Sequence, residues 1–367
     1  MKTFRAAVLH ALASPLAIED VESAELAPSD VLIRNRASGL CHTDLEVING
    51  SLAYPLPIVL GHEGAGIVEA VGTGVTRVRP GDHVVASWNP HCGDCFYCDR
   101  NLPILCEPFT REQPRSNLLD GASRLRWNGA RLNHFSVVSS HAEYSVVPES
   151  GAIKVPDGIP FDRACLLGCG VMTGVGAVSR LARVEAGAIV AVVGCGAVGL
   201  NVIQAAVLER AAIVIAIDRD PGKLALAVRF GATHALPADD AALDQVKSLS
   251  AGRGADHVFE AAGAEASLQL SLEATRPGGQ LVILGKTAVN HRVSLRFGSL
   301  MGEKRIIRSS YGGARPRRDF PWLAQLYLDG KLELDALISS RLPLARINEG
   351  FDAMRRGDGV RHVVVFD

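Results

Sequence analysis

Four cysteines lie close together near residue 100, and their spacing suits a metal ion. They are Cys92, Cys95, Cys98 and Cys106. The short connections between them include glycine, so four thiolates can meet on one tetrahedral zinc ion in a closed, structural site. Redox thiols or disulfides are the alternative, which the lack of an export signal disfavours. We therefore predict a structural zinc ion that takes no part in catalysis.

A glycine turn in the middle of the chain has the pattern of a dinucleotide site. Gly194, Gly196 and Gly199 have G-x-G-x-x-G spacing, and Asp218 stands 19 residues after the last of them. Gly194 permits a tight turn, Gly196 lets the backbone approach a pyrophosphate, and Gly199 lets a helix pack closely on a strand. The helix N-terminus would supply N–H groups to the phosphates. The carboxylate of Asp218 suits a ribose 2′-hydroxyl and repels a 2′-phosphate, so the pattern predicts NAD rather than NADP.

The residues around this turn predict a strand, a helix and a second strand at 189–193, 197–209 and 213–217. A transmembrane segment over residues 188–208 is the alternative, because Asn201 and Gln204 are its only polar side chains. The glycines, the change of period at the turn and the lack of a flanking basic cluster favour a buried strand and helix.

Composition narrows the class of protein. A chain of 367 residues is expected to form two domains, and 48% hydrophobic and 21% charged residues are typical of soluble globular proteins. The net charge of −1 gives no reason to expect nucleic acid or a membrane as partner. The N-terminus alternates like a strand and lacks the apolar segment of a signal peptide, so we expect a cytoplasmic protein.

The pattern of the chain changes near residue 170. Residues 1–150 are rich in strand patterns, with strand candidates at 3–10, 31–36, 66–71, 82–86 and 143–147. After residue 170 strands and helices alternate, with further strands at 234–236, 257–260, 281–284 and 305–309. Helices are predicted at 223–230, 243–249 and 265–275. Six strands separated by helical patterns predict a doubly wound parallel sheet.

The tail, residues 311–367, contains two helical patterns, one at 320–329, and a final strand at 360–366. It is expected to return to the first domain, because the six-stranded sheet is already complete. Arg315, Arg317 and Arg318 are interpreted as a solvated turn around Pro316.

Three other candidate metal ligands are scattered along the chain. Cys41 could equally be a small core residue, and His62 a hydrogen-bonded core histidine. Cys169 competes with Cys165, one helical turn earlier, and a buried structural thiol is the commoner role of either. Spacing alone leaves both interpretations of this trio open.

Taken together, these motifs resemble those of the zinc-dependent medium-chain alcohol dehydrogenases over essentially the full length. The matching segments are 39–44, 61–66, the four-cysteine loop, 167–174, the glycine turn and 348–351. The branch that it resembles contains class III (glutathione-dependent formaldehyde) and bacterial aryl-alcohol dehydrogenases. The resemblance implies a GroES-like β-rich catalytic domain (1–169), an NAD-binding Rossmann domain with a six-stranded parallel sheet (170–310), and a return to the catalytic domain (311–367).

The resemblance also implies site residues. Cys41, His62 and Cys169 would hold a catalytic zinc, which makes two zinc ions per chain. Glu63 matches an acid that can approach the metal as an alternate ligand, and Thr43 matches the hydroxyl that receives the alcohol proton. For NAD, the implied contacts are His42 at the pyrophosphate, Thr173 at the nicotinamide, Val198 behind its ring, Lys223 near the adenosine ribose and Arg361 near the phosphates. A homodimer or a tetramer is implied as well.

Departures from class III bear on the substrate, which the resemblance implies is a primary alcohol oxidised reversibly to its aldehyde. The loop 51–57 is short and mostly apolar, and Thr110 stands where class III has arginine. Both changes favour an uncharged, fairly apolar alcohol, aromatic or terpenoid, over the alternative, S-(hydroxymethyl)glutathione. Arg111 could replace the missing arginine. Glu46 stands where some relatives end a proton relay with histidine. It could be the terminal proton acceptor or a plain surface acid, and the surface acid is the favoured interpretation.

Other functions were weighed against this one. Polyol dehydrogenases tend to use glutamate as third zinc ligand, and Cys169 argues against them. A zinc module that binds nucleic acid would need a basic stripe, which the four-cysteine loop lacks. A relative that binds dinucleotide without a catalytic metal would hold one zinc ion instead of two.

Overall fold

The computed structural model describes residues 2–287 and 290–367. The chain divides into two compact units. Unit 1 joins Met1–Cys169 to Arg315–Asp367, and unit 2 is Gly170–Ala314.

The first segment of unit 1 contains mostly strands. These strands are β1 (Lys2–Leu9), β2 (Ala17–Ser23), β3 (Asp30–Gly39), β4 (Ile58–Val59), β5 (Glu63–Val71), β6 (His83–Ala86), β7 (Leu125–Trp127), β8 (Ala130–His134), β9 (Tyr144–Pro148) and β10 (Ala152–Lys154). Its α-helices are short: α1 (His42–Ile48), α2 (Phe96–Asp99), α3 (Glu107–Glu112) and α4 (Phe161–Leu166).

Unit 2 alternates strands with helices. Its strands are β11 (Ile189–Val193), β12 (Ile213–Asp218), β13 (His234–Pro237), β14 (Ala255–Glu260), β15 (Thr275–Ile283) and β16 (Arg305–Arg308). Its α-helices are α5 (Met172–Gly176), α6 (Ala197–Leu208), α7 (Pro221–Arg229), α8 (Ala242–Leu249) and α9 (Glu265–Ala274).

The last segment adds two helices and two strands to unit 1. They are α10 (Pro316–Leu328), β17 (Ile338–Pro343), α11 (Ile347–Arg356) and β18 (Arg361–Val365). The prediction of a turn around Pro316 was wrong, because Pro316 begins α10, where its missing N–H costs nothing. Arg317 and Arg318 therefore lie in the first turn of a helix, although both are exposed as expected.

Unit 1 is built from two sheets. One is a closed barrel in the order β1-β2-β7-β8-β4, and the other runs β10-β6-β5-β3-β18-β17, with β9 also paired to β3. β18 pairs antiparallel with β3 and parallel with β17, so the C-terminal segment completes this sheet. β17 had no counterpart among the predicted strands.

Unit 2 has a six-stranded sheet in the order β13-β12-β11-β14-β15-β16. All five pairings are parallel, and this order is that of a doubly wound dinucleotide-binding fold, which confirms the predicted fold class. Between β15 and β16, the described residues contain only the short 3-10 turn Phe297–Leu300. The two central strands of this sheet, β11 and β12, are almost wholly buried, as their nearly continuous apolar sequences require.

Residues 188–208, for which a transmembrane segment was the alternative, form β11 and α6, separated by the glycine turn. A different helical run, Phe161–Ala182, is long and apolar enough to cross a membrane by length and composition. Of its most apolar window, 72% is buried inside the protein, as in the core helix of a globular protein.

Candidate functional site

Three predicted ligands and the neighbouring Glu63 meet at one place in unit 1. One ligand atom from each of Cys41, His62, Glu63 and Cys169 lies within 4.8 Å of the others. The first three residues are buried and Cys169 is half-buried. Thiolate, imidazole and carboxylate are the groups that bind zinc in proteins. The donor set therefore fits a zinc ion held by two sulfurs and one nitrogen.

Strand pairing brings two of these ligands together from distant parts of the chain. β3 ends at Gly39, which lies opposite Glu63 at the start of β5. Cys41 therefore follows the end of one strand where His62 precedes the start of its neighbour. Glycine is needed where these two strands pair, because a Cβ on Gly39 would lie 2.3 Å from Glu63 Oε2.

Cys169 reaches the cluster from a helical segment. It lies in the π-helical turn Leu167–Val171, which directly follows α4. π-Turns add a residue to the helix and change the direction of its side chains, often at functional sites. Cys165 is buried instead, with its Sγ 3.4 Å from Asp162 O. Of the two cysteines that the sequence left in competition, Cys169 is the one beside His62.

The protonation of the cluster also suits a cation. A hydrogen bond from the Cys169 thiol, together with nearby cationic groups, holds the pKa of Cys41 well below its ordinary value despite burial. The same bond, together with burial, raises the pKa of Cys169. Burial opposes a charged imidazole, but Asp44 and Cys41 hold the pKa of His62 well above its ordinary value. Ligands bind zinc in their deprotonated forms, so the ion would take the place of these protons.

Glu63 is a buried carboxylate at the edge of the cluster. Neither of its oxygens has a hydrogen-bond partner among the described residues. Burial raises the pKa of Glu63 to about 7, although the positive charge of Arg361 opposes this. Arg361 Nη2 lies 3.3 Å from Glu63 Oε1, and its Nη1 donates to Leu40 O. A buried carboxylate that is ion-paired but accepts no hydrogen bond can still interact with a further positive charge, such as a metal ion. The predicted contact of Arg361 with phosphates stays a prediction.

Asp44, to which the sequence analysis gave no role, ties these ligands together. Its Oδ2 accepts a hydrogen bond from Cys41 N at 3.0 Å, and its Oδ1 accepts from Gly61 N at 3.1 Å. His62 Nδ1 lies 3.3 Å from the same Oδ1 and, facing a carboxylate, must carry the proton, which leaves Nε2 for a metal. Burial acts to raise the pKa of Asp44, but the neighbouring imidazoles lower it to about 2. An acid at the third position of α1 is a helix-start signal that could have drawn attention to it.

The four clustered cysteines also converge. Their ligand atoms lie within 4.8 Å of one another. The Sγ of Cys92 is 3.9 Å from that of Cys98 and 3.6 Å from that of Cys106. Zinc–sulfur bonds of about 2.3 Å place tetrahedral sulfurs about 3.8 Å apart, so the loop fits a structural zinc ion. Two backbone N–H groups, from Cys92 and Glu107, point at cluster sulfurs and would stabilise thiolates.

The glycine turn of unit 2 has the geometry that its sequence predicts. Gly194 has φ +97°, and a Cβ there would lie 2.7 Å from Ala262 N. A Cβ on Gly199 would lie 1.9 Å from Gly194 O, so only glycine lets α6 pack this closely. A Cβ on Gly196 would meet nothing within 4 Å, which leaves open space beside the backbone at the start of α6. A pyrophosphate fits such a cradle at a helix N-terminus.

Asp218 ends β12 and is tied to this turn. Its Oδ2 accepts from Cys195 N at 2.7 Å, and its Oδ1 accepts from Asp220 N at 2.9 Å. The carboxylate is half-buried and keeps lone pairs for a ribose hydroxyl. Lys223 lies in the first turn of α7.

The remaining predicted residues are divided between the units. Thr43 and Glu46 lie on α1, half-buried, and His42 begins that helix and is exposed. Thr173 lies on α5 and Val198 on α6, both half-buried.

Aromatic side chains line one side of the unit 1 cluster. The ring of Phe135 packs edge-on against His62, with centroids 5.6 Å apart, and against Tyr54, with centroids 5.0 Å apart. Gln113 donates a hydrogen bond to Tyr54 Oη. Phe135 therefore stands between the predicted ligand His62 and Tyr54 of the loop 51–57, and Gln113 holds the Tyr54 end of this aromatic wall.

A basic segment adjoins this wall. Arg111 Nε lies 2.6 Å from Glu112 Oε1, and Arg115 Nη1 lies 3.9 Å from the same oxygen. Both arginines are exposed, and one carboxylate offsets only one of their two charges. Thr110 is turned to its own helix, because its Oγ1 donates to Cys106 O.

Two family models match the chain. Residues 27–157 match the alcohol dehydrogenase GroES-like domain, and residues 197–329 match the zinc-binding dehydrogenase. The first match covers most of the unit 1 strands and the second covers α6 to α10. Zinc and NAD are the cofactors of such dehydrogenases.

Whole-chain relatives agree with these matches. S-(hydroxymethyl)glutathione dehydrogenase of Aspergillus oryzae is 38% identical over 365 residues, which is 98% of this chain and 95% of the relative. Alcohol dehydrogenase class-3 of Drosophila melanogaster is 39% identical, with 99% and 98% of the two chains covered. The crystal structure of benzyl alcohol dehydrogenase from Acinetobacter calcoaceticus has a TM-score of 0.94 and 30% identity, and both chains are covered completely. The chain therefore belongs to the zinc-dependent medium-chain alcohol dehydrogenase family.

Proposed function

We propose that this dehydrogenase oxidises a primary alcohol to its aldehyde with NAD⁺, reversibly, at the cluster of Cys41, His62 and Cys169. The alcohol loses a hydride to NAD⁺ and a proton to the protein. The observation that carries the proposal is the convergence of these three residues from separate segments, with the buried carboxylate of Glu63 beside them. A zinc ion held there would supply a Lewis acid that favours the deprotonated alcohol.

The protein's own groups would handle the proton and the nucleotide. Thr43 would receive the hydroxyl proton, and Glu46 would remain a surface acid. The glycine turn and Asp218 would hold NAD, which their geometry supports. His42, Thr173, Val198, Lys223 and Arg361 would contact NAD as the family resemblance implies.

Replacing Thr43 with alanine should lower kcat by about 10²–10⁴-fold, the usual range for a group that transfers a proton in the transition state. Glu46→Gln should change it little. The measurement is steady-state alcohol oxidation at saturating NAD⁺, with zinc content determined for each variant. Equal losses of kcat in the two variants, with zinc content unchanged, would contradict the larger role given to Thr43.

S-(hydroxymethyl)glutathione is the first candidate for the alcohol. Several relatives that are 37–38% identical over almost the whole chain carry the name S-(hydroxymethyl)glutathione dehydrogenase. Glutathione has two carboxylates at neutral pH. Arg111 and Arg115 would receive them, because these residues flank Gln113, which contacts the aromatic wall.

An uncharged aromatic or terpenoid alcohol is the second candidate. Phe135 is part of the core, but Tyr54, which packs on it, is only half-buried, and this ring on the mostly apolar loop 51–57 would favour an apolar substrate. Thr110 offers no charge for a carboxylate. One neighbour in fold, at 30% identity, is a benzyl alcohol dehydrogenase.

A substrate screen separates the two candidates. We expect kcat/KM for S-(hydroxymethyl)glutathione to exceed that for benzyl, cinnamyl, terpenoid and short aliphatic alcohols, with NAD⁺ preferred to NADP⁺. The double variant R111A/R115A should lower kcat/KM for the glutathione adduct by about tenfold, or ~1.4 kcal/mol, and leave benzyl alcohol unaffected. R355A, which removes an exposed arginine of α11, is the matched control. A higher kcat/KM for benzyl alcohol would select the second candidate.

The same proposal includes a homodimer, or a tetramer, in a reducing cytoplasm. Among the described residues β16 pairs only with β15, so its other edge is available. Phe297, Met301 and Ile306 are exposed on or near it and form apolar surface suited to a second copy. None of the eight cysteines is in a disulfide, which suits the reducing compartment of this proposal. A monomer in analytical ultracentrifugation at micromolar concentration would exclude the assembly.

A further inference from the structure

A second buried histidine, His141, faces one carboxylate oxygen of Asp44, while His62 faces the other. Its side chain is 0% exposed, and its Nε2 lies 3.6 Å from Asp44 Oδ2. This distance is longer than a hydrogen bond, and no other acceptor for Nε2 exists among residues 2–287 and 290–367. Asp44 therefore lies between two imidazoles, that of the predicted ligand His62 and that of His141, which is not a predicted ligand.

The surroundings of the two ring nitrogens together indicate which tautomer His141 adopts. His141 Nδ1 lies 2.9 Å from Ser38 Oγ, and Ser38 Oγ lies 2.7 Å from Ser140 Oγ. A proton on Nδ1 would leave the Nε2 lone pair facing the carboxylate of Asp44, which is repulsive. The proton is therefore on Nε2, and the hydroxyl of Ser38 donates to Nδ1. The ring presents an N–H to Asp44.

The backbone holds His141 against the segment between β4 and β5, which carries His62. His141 N donates to Leu60 O and Ser140 N donates to Gly61 O, each at 3.0 Å. A Cβ on Gly61, which has φ +93°, would lie 2.6 Å from both His141 N and His141 Nδ1. The ring also packs edge-on against Phe351. His141 can therefore move little relative to His62.

We propose that His141 is a positioning residue for the catalytic zinc: it holds the carboxylate of Asp44 in the orientation that fixes His62. The inference depends on the proposed function, because it concerns the zinc ion proposed there. Without His141, Oδ2 keeps Cys41 N as its one donor, and the buried negative charge loses a compensating dipole. Asp44 keeps its bonds from Cys41 N and Gly61 N, but its carboxylate is held less firmly, and so is the ring of His62 that contacts it.

Two variants of one residue test this role. His141→Phe keeps a ring that can pack on Phe351 but removes both nitrogens. His141→Gln keeps an amide N–H for Asp44 and an amide oxygen for Ser38. Loss of the direct partner of a metal-ligating histidine, here Asp44, typically weakens metal binding about 10–100-fold. His141 acts on His62 through Asp44, so His141→Phe should release the catalytic zinc to a chromophoric chelator faster by about the lower end of that range, roughly 10-fold. His141→Gln should restore release to near the wild-type rate.

The zinc of the four cysteines is the control within each molecule, and its release should not change in either variant. His134→Phe is the matched control, because His134 is equally buried but its Nε2 accepts a hydrogen bond from Arg124 N and does not face Asp44. It should release both ions at wild-type rates. Equal release of the catalytic zinc from wild type and His141→Phe would overturn the proposal, as would equally fast release from the glutamine and phenylalanine variants.

These outcomes can be told apart from a failure of the proposed function. A wild-type chain that binds only one zinc ion would refute the proposed catalytic centre and this inference together. A wild-type chain that binds two zinc ions but does not oxidise alcohols would refute the proposed function alone.

Discussion

Replacing Cys169 with alanine is expected to remove one of two zinc ions per chain and nearly all alcohol oxidation. The remaining Cys41 and His62 would hold zinc weakly, because an open catalytic site needs three protein ligands. A Lewis acid contributes several kcal/mol to stabilising the transition state, which corresponds to a loss of about 10³–10⁵-fold in kcat. The measurements are zinc content by atomic emission and NADH formation at 340 nm.

Cys165→Ala is the matched control for this prediction. Both residues are cysteines on the same helical run, but Cys165 hydrogen-bonds to Asp162 O and lies outside the cluster. It should keep both zinc ions and nearly full activity. Loss of zinc from Cys165→Ala but not from Cys169→Ala would reverse the assignment of the third ligand.

Replacing Cys106 with serine is expected to cause the largest loss of stability. Binding of structural zinc in small domains is worth about 10–16 kcal/mol, which is comparable with the stability of a whole domain. Cys106 is also buried in a core cluster with Phe109, Leu118 and Val137, so release of the loop would expose this core. Even a net loss of 3–5 kcal/mol would lower Tm by roughly 10 °C in a unit of this size.

This effect should be seen as a lower Tm in calorimetry together with loss of one zinc ion. Asp99→Asn, an exposed change in the same loop, should alter neither quantity. If Cys106→Ser kept two zinc ions and the wild-type Tm, the four cysteines would not form a structural site.

Local patterns in the sequence were sufficient for some parts of the molecule. The glycine turn and the four-cysteine loop could be predicted because their residues are close along the chain and each has a distinct physical task. The parallel sheet could also be predicted, because the alternation of strands and helices is a pattern of neighbouring segments. β17 was missed, since a short, partly exposed strand has little hydrophobic pattern of its own.

The proposed catalytic centre could be predicted only through family resemblance. Cys41, His62 and Cys169 come from two strand ends and a π-helical turn, and no spacing links them. The choice between Cys165 and Cys169 depends on that turn, which the sequence pattern does not reveal. His141 left no signal at all, because its role depends on which buried groups surround it in the folded chain.

The central claim is that Cys41, His62 and Cys169 bind one zinc ion, separate from the ion of the four cysteines. A crystal of the zinc-loaded protein, measured on both sides of the zinc absorption edge, tests it directly. We expect two anomalous peaks per chain, one within bonding distance of four sulfurs and one about 2.3 Å from two sulfurs and about 2.0–2.1 Å from His62 Nε2. A single peak at the four cysteines, with the sulfurs of Cys41 and Cys169 beyond bonding reach of any metal, would contradict the account.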